Sequence, residues 1–154
     1  MSIPQLNDGL LPAGVHRATI EELERRFGFS AKRRDLIEQG LKPILQELIK
    51  MGIRELYIGG SFTTSKPSPG DVDAYVKTSL ESPFYEALVA RQEIWREQFR
   101  VQIQLAVEEF EDEEEGSFVY WREFFGQTQE MPSRARGIVE LHLRGEPHVH
   151  DQER

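Results

Sequence analysis

The stretch from residue 55 to residue 77 constrains the fold of this chain more than any other. A short apolar run ending at Ile58 leads into the glycine pair Gly59 and Gly60. A glycine pair at a strand end marks a bend in the backbone or a close approach by another group. Ser61 follows as the expected N-cap of a short helical turn, which would turn its hydroxyl and nearby backbone N–H groups toward an anion. The pattern predicts a strand, a turn, a surface loop and a second strand.

The second strand carries two carboxylates one residue apart. The residues from 71 to 76 alternate in character, so Asp71, Asp73 and Tyr75 share one face of the strand. Such carboxylates have Cα atoms about 6.6 Å apart, and two negative charges at about 6 Å repel by roughly 2 to 3 kcal/mol at an effective dielectric near 20. A divalent cation would remove that repulsion. Hard oxygen ligands opposite an anion site suit Mg²⁺ bound together with a nucleoside triphosphate.

These residues together resemble a known signature. The order Gly59-Gly60-Ser61, a spacer and then Asp71-Val72-Asp73 resembles the nucleotidyltransferase superfamily, in its polymerase-beta-like, minimal form. The resemblance implies that the Gly59, Gly60 and Ser61 turn holds the triphosphate. It also implies that Asp71 and Asp73 are the catalytic carboxylates and bind two Mg²⁺ ions. The implied reaction moves a nucleoside monophosphate onto a protein, an RNA end or a small molecule and releases pyrophosphate.

A second resemblance covers most of the chain. The segments from Leu11 to Thr19 and from Arg25 to Gly28 look like those of a bacterial family of uncharacterised nucleotidyltransferase-like proteins. This likeness brings no substrate with it. It suggests a toxin–antitoxin or phage-defence setting and leaves a protein partner open.

One strand departs from the superfamily pattern. The alternation from Val101 to Val107 predicts a strand beside the one that carries the aspartates, where members of the superfamily usually place a third carboxylate. The polar face of this strand offers Gln102 and Gln104 instead, and a neutral amide adds no charge to offset a metal. Either Glu108 or Glu140 supplies the missing carboxylate, or the chain is a catalytically degenerate module that binds or regulates.

The length, composition and charge of the chain exclude several classes of protein. The 154 residues fit one domain, 1–154, and contain no cysteine, which excludes a disulfide framework or a thiolate metal site. The formal net charge of −8 argues against a broad electrostatic grip on DNA or RNA. No apolar run approaches the roughly 20 residues of a membrane span, so we expect a cytoplasmic protein without membrane contact.

The remaining patterns predict a fold of the α/β (α+β) class, a small mixed β-sheet flanked by helices. Ser82 and Pro83 mark the start of one helix, and Pro43 predicts a kink in another or a break near Gly40. In chain order the expected elements are an extended arm over 1–18, a short helix from Thr19 to Gly28, a helix over 31–51, a helix from Ser82 to Phe99, the strand from Val101, an aromatic helix over 117–126, a strand over 138–143 and a flexible tail over 144–154.

Several charged or aromatic segments have two interpretations. The basic cluster of Arg25, Arg26, Lys32, Arg33 and Arg34 is either a solvated face or a contact for the acceptor or for the acidic segment downstream. The acidic run from Glu108 to Glu115 is most simply solvated and mobile. Arg134 and Arg136 reach a nucleotide phosphate or the acidic run, or are simply solvated. A third hypothesis makes the chain an interaction protein whose acidic run and aromatic segment bind a basic partner.

Overall fold

A five-stranded mixed sheet forms the centre of the protein. The computed structural model describes residues 3–144 and confirms the predicted α/β class. The strands are β1 (Gly14–Ala18), β2 (Glu55–Gly59), β3 (Val72–Thr78), β4 (Val101–Val107) and β5 (Gly137–His142). Their order across the sheet is β1-β5-β2-β3-β4.

The register of the sheet brings the two halves of the signature together. β2 runs antiparallel to both of its neighbours, β3 and β5, whereas β3 and β4 run parallel, as do β1 and β5. Gly59, the last residue of β2, pairs with Asp73 of β3. Asp73 in turn pairs with Gln102 of β4. The glycine turn, the second aspartate and the first amide therefore lie side by side in one row across three strands.

Helices cover both faces of the sheet. The main core lies under α1 (Ile20–Phe27), α2 (Ala31–Asp35), α3 (Lys42–Lys50) and α4 (Tyr85–Ile94), whose apolar side chains pack on those of β2 to β5. The opposite face carries α5 (Phe118–Phe125), whose residue Phe125 packs with Tyr57, Tyr75, Ala106 and Ile138. This smaller layer leaves part of the sheet face open, and the polar residues of β3 and β4 lie there.

The predicted helix over 31–51 is confirmed, but the kink expected at Pro43 takes a particular form. α2 passes through a π-helical segment, Leu36–Leu41, directly into α3. Pro43 has no N–H to donate, and its ring would clash with the carbonyl four residues earlier in a regular helix. The wider π turn accommodates it: the Lys42 N–H donates to the Ile37 carbonyl, five residues back.

Two boundaries differ from expectation. Gly14–Ala18, within the predicted extended arm, forms the edge strand β1. The helix expected from Ser82 begins at Tyr85, because the Ser82 hydroxyl accepts a hydrogen bond from the Phe84 N–H in the preceding turn. All of the predicted tail except residue 144 lies outside the described residues. Within residues 3–144, no helix is long and apolar enough to cross a membrane.

Candidate functional site

A cavity of about 640 Å³ opens at the row formed by the glycine turn, Asp73 and Gln102. Its walls come from the end of β2, from β3 and β4, from α5 and from the loop that precedes β5. The lining residues are Gly60, Ser61, Asp73, Gln102, Gln104, Tyr120, Trp121, Phe124, Phe125, Gln129, Glu130 and Arg136. Three residues of the predicted site, Gly60, Ser61 and Asp73, therefore share one cavity.

The glycine pair is required by close approach on both sides. A Cβ atom at Gly59 would lie 2.9 Å from Cδ1 of Phe125, which packs directly over it. Gly60 has φ +67°, and a Cβ there would lie 2.8 Å from Oδ2 of Asp73. The prediction that Ser61 caps the turn is wrong: the turn is a 3-10 helix, Gly60–Thr63, so Ser61 lies inside it. The turn starts one residue early because Gly60 can adopt the positive φ that opens it.

Gly60→Ala should therefore destabilise the protein by about 2 kcal/mol, since the side chain adds both backbone strain and a clash with the Asp73 carboxylate. Gly52→Ala is the matched control, because Gly52 has φ +79° but nothing within 4 Å of an added Cβ. Urea denaturation measures the free energy of unfolding of both variants. The difference between them gives the cost of the clash, because both variants have the backbone strain. If the two substitutions lower the free energy of unfolding equally, the contact between Gly60 and Asp73 is unimportant.

The two aspartates occupy different positions. Asp73 lies inside the cavity, where burial, and secondly the charge of Asp71, raise its pKa to about 6, against an opposing effect of Arg136. Asp71 precedes β3, and its Oδ2 accepts a long hydrogen bond of 3.5 Å from Nε2 of Gln102. The predicted repulsion between the aspartates thus exists in this structure, and no cation in the described residues lies close enough to either carboxylate to form an ion pair with it.

The row of residues that contains Asp73 has no third carboxylate on β4. Gln102 occupies the position on β4 directly beside Asp73. Glu108 follows the far end of β4, roughly 20 Å along the strand from Gln102. Glu140 pairs with Tyr57 in the next row, roughly 12 Å from Asp73, and accepts a hydrogen bond from the Tyr57 hydroxyl. Of the two residues that the sequence offers for a third carboxylate, neither Glu108 nor Glu140 therefore lies in the row of Asp73.

Arg33, expected to lie on a solvated basic face or at the acceptor, is fully buried beneath the glycine turn. Its guanidinium stacks over three aromatic rings and donates only to backbone carbonyl oxygens. The rings are those of Phe27, Phe29 and Phe62; the acceptors are the carbonyls of Phe62 at 2.6 Å, Thr64 at 2.7 Å, Lys66 at 2.8 Å, and Phe27 and Ser61 at 3.2 Å. Burial lowers the pKa of the Arg33 guanidinium to about 10, so it stays charged at neutral pH. This cation holds the segment from Ser61 to Lys66 in place.

The two arginines before β5 have separate roles. Arg134 is exposed and forms ion pairs with Asp8 and Glu130, each at 2.8 Å. Arg136 lines the cavity, and its one hydrogen bond runs from Nε to the Phe125 carbonyl at 3.4 Å. Burial lowers the pKa of Arg136, an effect that Asp73 and secondly Glu130 oppose. Arg136 is thus a half-buried cation, and within residues 3–144 most of its five N–H groups have no hydrogen-bond partner.

An aromatic wall faces the carboxylates. The predicted aromatic helix, α5, buries Phe125 and packs Phe118 and Trp121 against the sheet, as its spacing indicates. Tyr120, Trp121 and Phe124 also line the cavity, and the Trp121 and Phe124 rings meet edge to face at 5.5 Å. The same helix therefore contributes to both the core and the cavity wall. The cavity residues Gln129 and Glu130, in an irregular loop, carry no sequence signal that predicts their position.

The donor set fits a hard cation only in part. Among residues 3–144, no three His, Cys, Asp or Glu side chains gather where they could hold a metal ion. The two aspartates and the Gln102 amide oxygen are hard donors, and their uncompensated charge favours a cation. Mg²⁺ commonly binds through one or two carboxylates and completes its shell with water and substrate phosphates. The residues present therefore suit Mg²⁺ that arrives with a phosphate ligand.

Comparison with known proteins identifies a family. The chain belongs to a family described as a family of unknown function (DUF6932), whose profile matches residues 4–142. The match includes the glycine turn, both aspartates, the aromatic helix and Arg136. Searches of curated proteins and of solved structures each return no match.

Proposed function

We propose that this member of the DUF6932 family is a Mg²⁺-dependent nucleotidyltransferase whose active site is the cavity between the glycine turn and α5. The observation that carries the proposal is the juxtaposition of Gly60 and Asp73, so close that a Cβ on Gly60 would touch the Asp73 carboxylate. A backbone turn that can receive an anion and a carboxylate that favours a cation meet at one point. A triphosphate with its metal ion satisfies both.

Arg136 supports the phosphate side of the proposal. Its guanidinium borders the same cavity as Gly60 and Ser61, and its charge is desolvated with no carboxylate of residues 3–144 paired to it within 4 Å. A guanidinium in that condition is stabilised by an anion that accepts two or more of its N–H groups, as phosphate does. Bound Mg²⁺, held by Asp71 and Asp73, would offset the charge that builds on the phosphates.

The rest of the cavity orients the nucleotide. The rings of Tyr120 and Phe124 offer faces on which a nucleobase stacks, and the amides of Gln104 and Gln129 offer both donors and acceptors to its edge. In the reaction, an acceptor oxygen forms a bond to the α-phosphorus, and the bond from that phosphorus to the bridging oxygen breaks. Pyrophosphate leaves toward the glycine turn and Arg136.

A second candidate is a nucleotidyltransferase-like module that binds the nucleotide but does not transfer it. Gln102 favours this candidate, because an amide stands where a third carboxylate would assist metal binding. Both candidates include metal-dependent binding of a triphosphate. Only the first includes release of pyrophosphate.

The test incubates the protein with each α-labelled nucleoside triphosphate and Mg²⁺ or Mn²⁺ and measures pyrophosphate release and transferred label. Label should move to an acceptor in a cell extract or to the protein itself with native protein, and not with Asp71→Asn/Asp73→Asn. Binding without release by the native protein would select the non-transferring module. Absence of any metal-dependent binding would reject both.

Arg136→Gln should weaken binding of the triphosphate by about 10- to 100-fold, the effect of losing one or two charge-assisted hydrogen bonds. The loss should be much smaller for the nucleoside, which has no phosphate to contact. Calorimetric titration of both ligands measures the difference. Arg134→Gln is the control, because Arg134 does not line the cavity and its guanidinium is already paired with Asp8 and Glu130. Equal losses for triphosphate and nucleoside would remove Arg136 from the phosphate site.

A further inference from the structure

The side of the cavity away from the glycine turn is lined by amides. Gln102 lies beside Asp73, and Gln104 lies beside Tyr75 in the next row of the same face. Both side chains border the cavity. The contact between Gln102 and Asp71, at 3.5 Å, is too long to hold the amide firmly. An acceptor that approaches the α-phosphorus from β4 therefore meets neutral N–H donors and carbonyl acceptors.

Proton transfer is the difficulty for a hydroxyl acceptor at this position. A hydroxyl that attacks phosphorus loses its proton, and a positioned base contributes about 10²- to 10⁴-fold to such a step. The described residues that line the cavity include no histidine and only two carboxylates, Asp73 and Glu130. In the proposed reaction Asp73 would hold the cation, and Glu130 is paired with Arg134 at 2.8 Å. Gln102 itself cannot accept a proton.

We infer that the acceptor is an oxyanion, a carboxylate or a phosphate, and that Gln102 selects it over a hydroxyl. The inference rests on the proposed transfer reaction and adds the acceptor class to it. An oxyanion carries no proton to remove, so the absence of a base at Gln102 does not slow it. The amide N–H donates a hydrogen bond to the incoming oxyanion, whereas a carboxylate at the same position would repel it.

The reaction then balances without a base. An acceptor oxygen lone pair forms the bond to the α-phosphorus, the bond to the bridging oxygen breaks with its electron pair, and pyrophosphate leaves. No proton moves in this step. A carboxylate acceptor gives an acyl–nucleotide mixed anhydride, and a phosphate acceptor gives a phosphoanhydride.

Two probes that carry both kinds of oxygen test the inference by internal competition. Lactate offers a carboxylate and a hydroxyl, and glycerol 3-phosphate offers a phosphate and hydroxyls. With native protein, triphosphate and Mg²⁺ at pH 8, we expect anhydride products from at least one probe, detected by hydroxylamine trapping for lactate and by ³¹P NMR for glycerol 3-phosphate. The probe that reacts identifies the source of the oxyanion. Phosphodiester products from hydroxyl attack would overturn the inference.

Gln102→Glu should reverse the preference of the site for an oxyanion over a hydroxyl. It should lower anhydride formation at least tenfold and raise the fraction of phosphodiester, because the new carboxylate repels oxyanions and accepts a proton. Gln98→Glu makes the same chemical change on an exposed residue outside the cavity and should alter neither product. An unchanged product ratio in Gln102→Glu would overturn the role of Gln102.

If neither probe reacts, a binding measurement tests whether the acceptor site prefers an oxyanion. Native protein saturated with an α,β-methylene triphosphate and Mg²⁺ is titrated with acetate and with inorganic phosphate. We expect one of them to bind at least tenfold more tightly to the native protein than to Gln102→Glu. Equal affinities, or no binding of either, would overturn the inference. Failure of the triphosphate analogue itself to bind would instead reject the proposed function.

Discussion

Asp73→Asn should strongly weaken metal-dependent nucleotide binding and at the same time stabilise the protein. The native carboxylate is partly buried beside Asp71, and these two effects raise its pKa to about 6. The folded protein therefore binds a proton at Asp73 that the unfolded chain, with an ordinary aspartate pKa, has already lost. Below about pH 4, Asp73 does not lower the free energy of unfolding. The free energy of unfolding then falls as the pH rises through about 6, because the folded protein must carry the buried charge. Asparagine removes the group that titrates.

The size of this stability effect is on the order of 2 kcal/mol near pH 7, allowing for solvent screening of a carboxylate that is not fully buried. Denaturant unfolding of native and Asp73→Asn protein between pH 4 and pH 8 measures it, with Asp35→Asn on the exposed surface of α2 as control. The two curves for position 73 should diverge as the pH rises. Parallel curves would show that Asp73 is not destabilised in the folded protein.

The same substitution, Asp73→Asn, should lower the affinity of the protein for the metal–triphosphate complex. Losing one of the two charged cation ligands should weaken binding of the metal–triphosphate complex by at least about 100-fold. Calorimetry with Mn²⁺ measures this in the same samples. A variant that is more stable and binds less tightly would indicate that the carboxylate is retained for function at the expense of stability.

Arg33→Met should destabilise the protein by about 3 to 5 kcal/mol. The substitution keeps the aliphatic volume but leaves buried carbonyl oxygens in the segment from Ser61 to Lys66 without their donor. Arg33→Lys should recover only part of the loss, because three N–H groups on one nitrogen cannot reach carbonyls that the planar guanidinium reaches. Chemical denaturation of the two variants gives both values.

Arg34→Met is the control for Arg33. Arg34 is exposed, with one 3.2 Å hydrogen bond to the Gly28 carbonyl, so its removal should change the free energy of unfolding by less than about 1 kcal/mol. Equal effects at positions 33 and 34 would contradict the structural role of Arg33. Any folded Arg33→Lys protein should also bind triphosphate more weakly, since the turn that contains Ser61 loses its support.

The local patterns of the sequence predict the elements well. The alternation from Val101 to Val107 and the apolar stripe of the helix over 31–51 each report side chains that contact the core directly, and the structure confirms both. The pairing of β1 with β5 is not predictable in this way. It joins residues more than a hundred positions apart, and no local pattern records which strands become neighbours.

The burial of Arg33 could have been predicted. Position 33 lies three and four residues before Leu36 and Ile37, on the apolar stripe of the helix, and a cation there faces the core. Its grouping with four other basic residues hides this signal. The cavity position of Arg136 was only one of three alternatives from the sequence. The burial of Arg136 distinguishes these alternatives, and that burial depends on how α5 packs across the sheet.

The separation of Glu108 and Glu140 from Asp73 also required the structure. Glu140 has the correct polar face and strand type, but the register places it beside Tyr57 rather than Gly59. A shift of one row along a strand separates a residue in the site from one outside it. Sequence alone does not determine that register.

Calorimetric titration of the native protein with each nucleoside triphosphate, with and without Mg²⁺ or Mn²⁺, tests the central claim most directly. It requires no knowledge of the acceptor. We expect at least one triphosphate to bind only when the metal is present, and Asp71→Asn/Asp73→Asn to lose that binding while remaining folded. Metal-independent binding that survives in the double variant, or no binding by well-folded native protein, would contradict the assignment of this cavity as a nucleotide site.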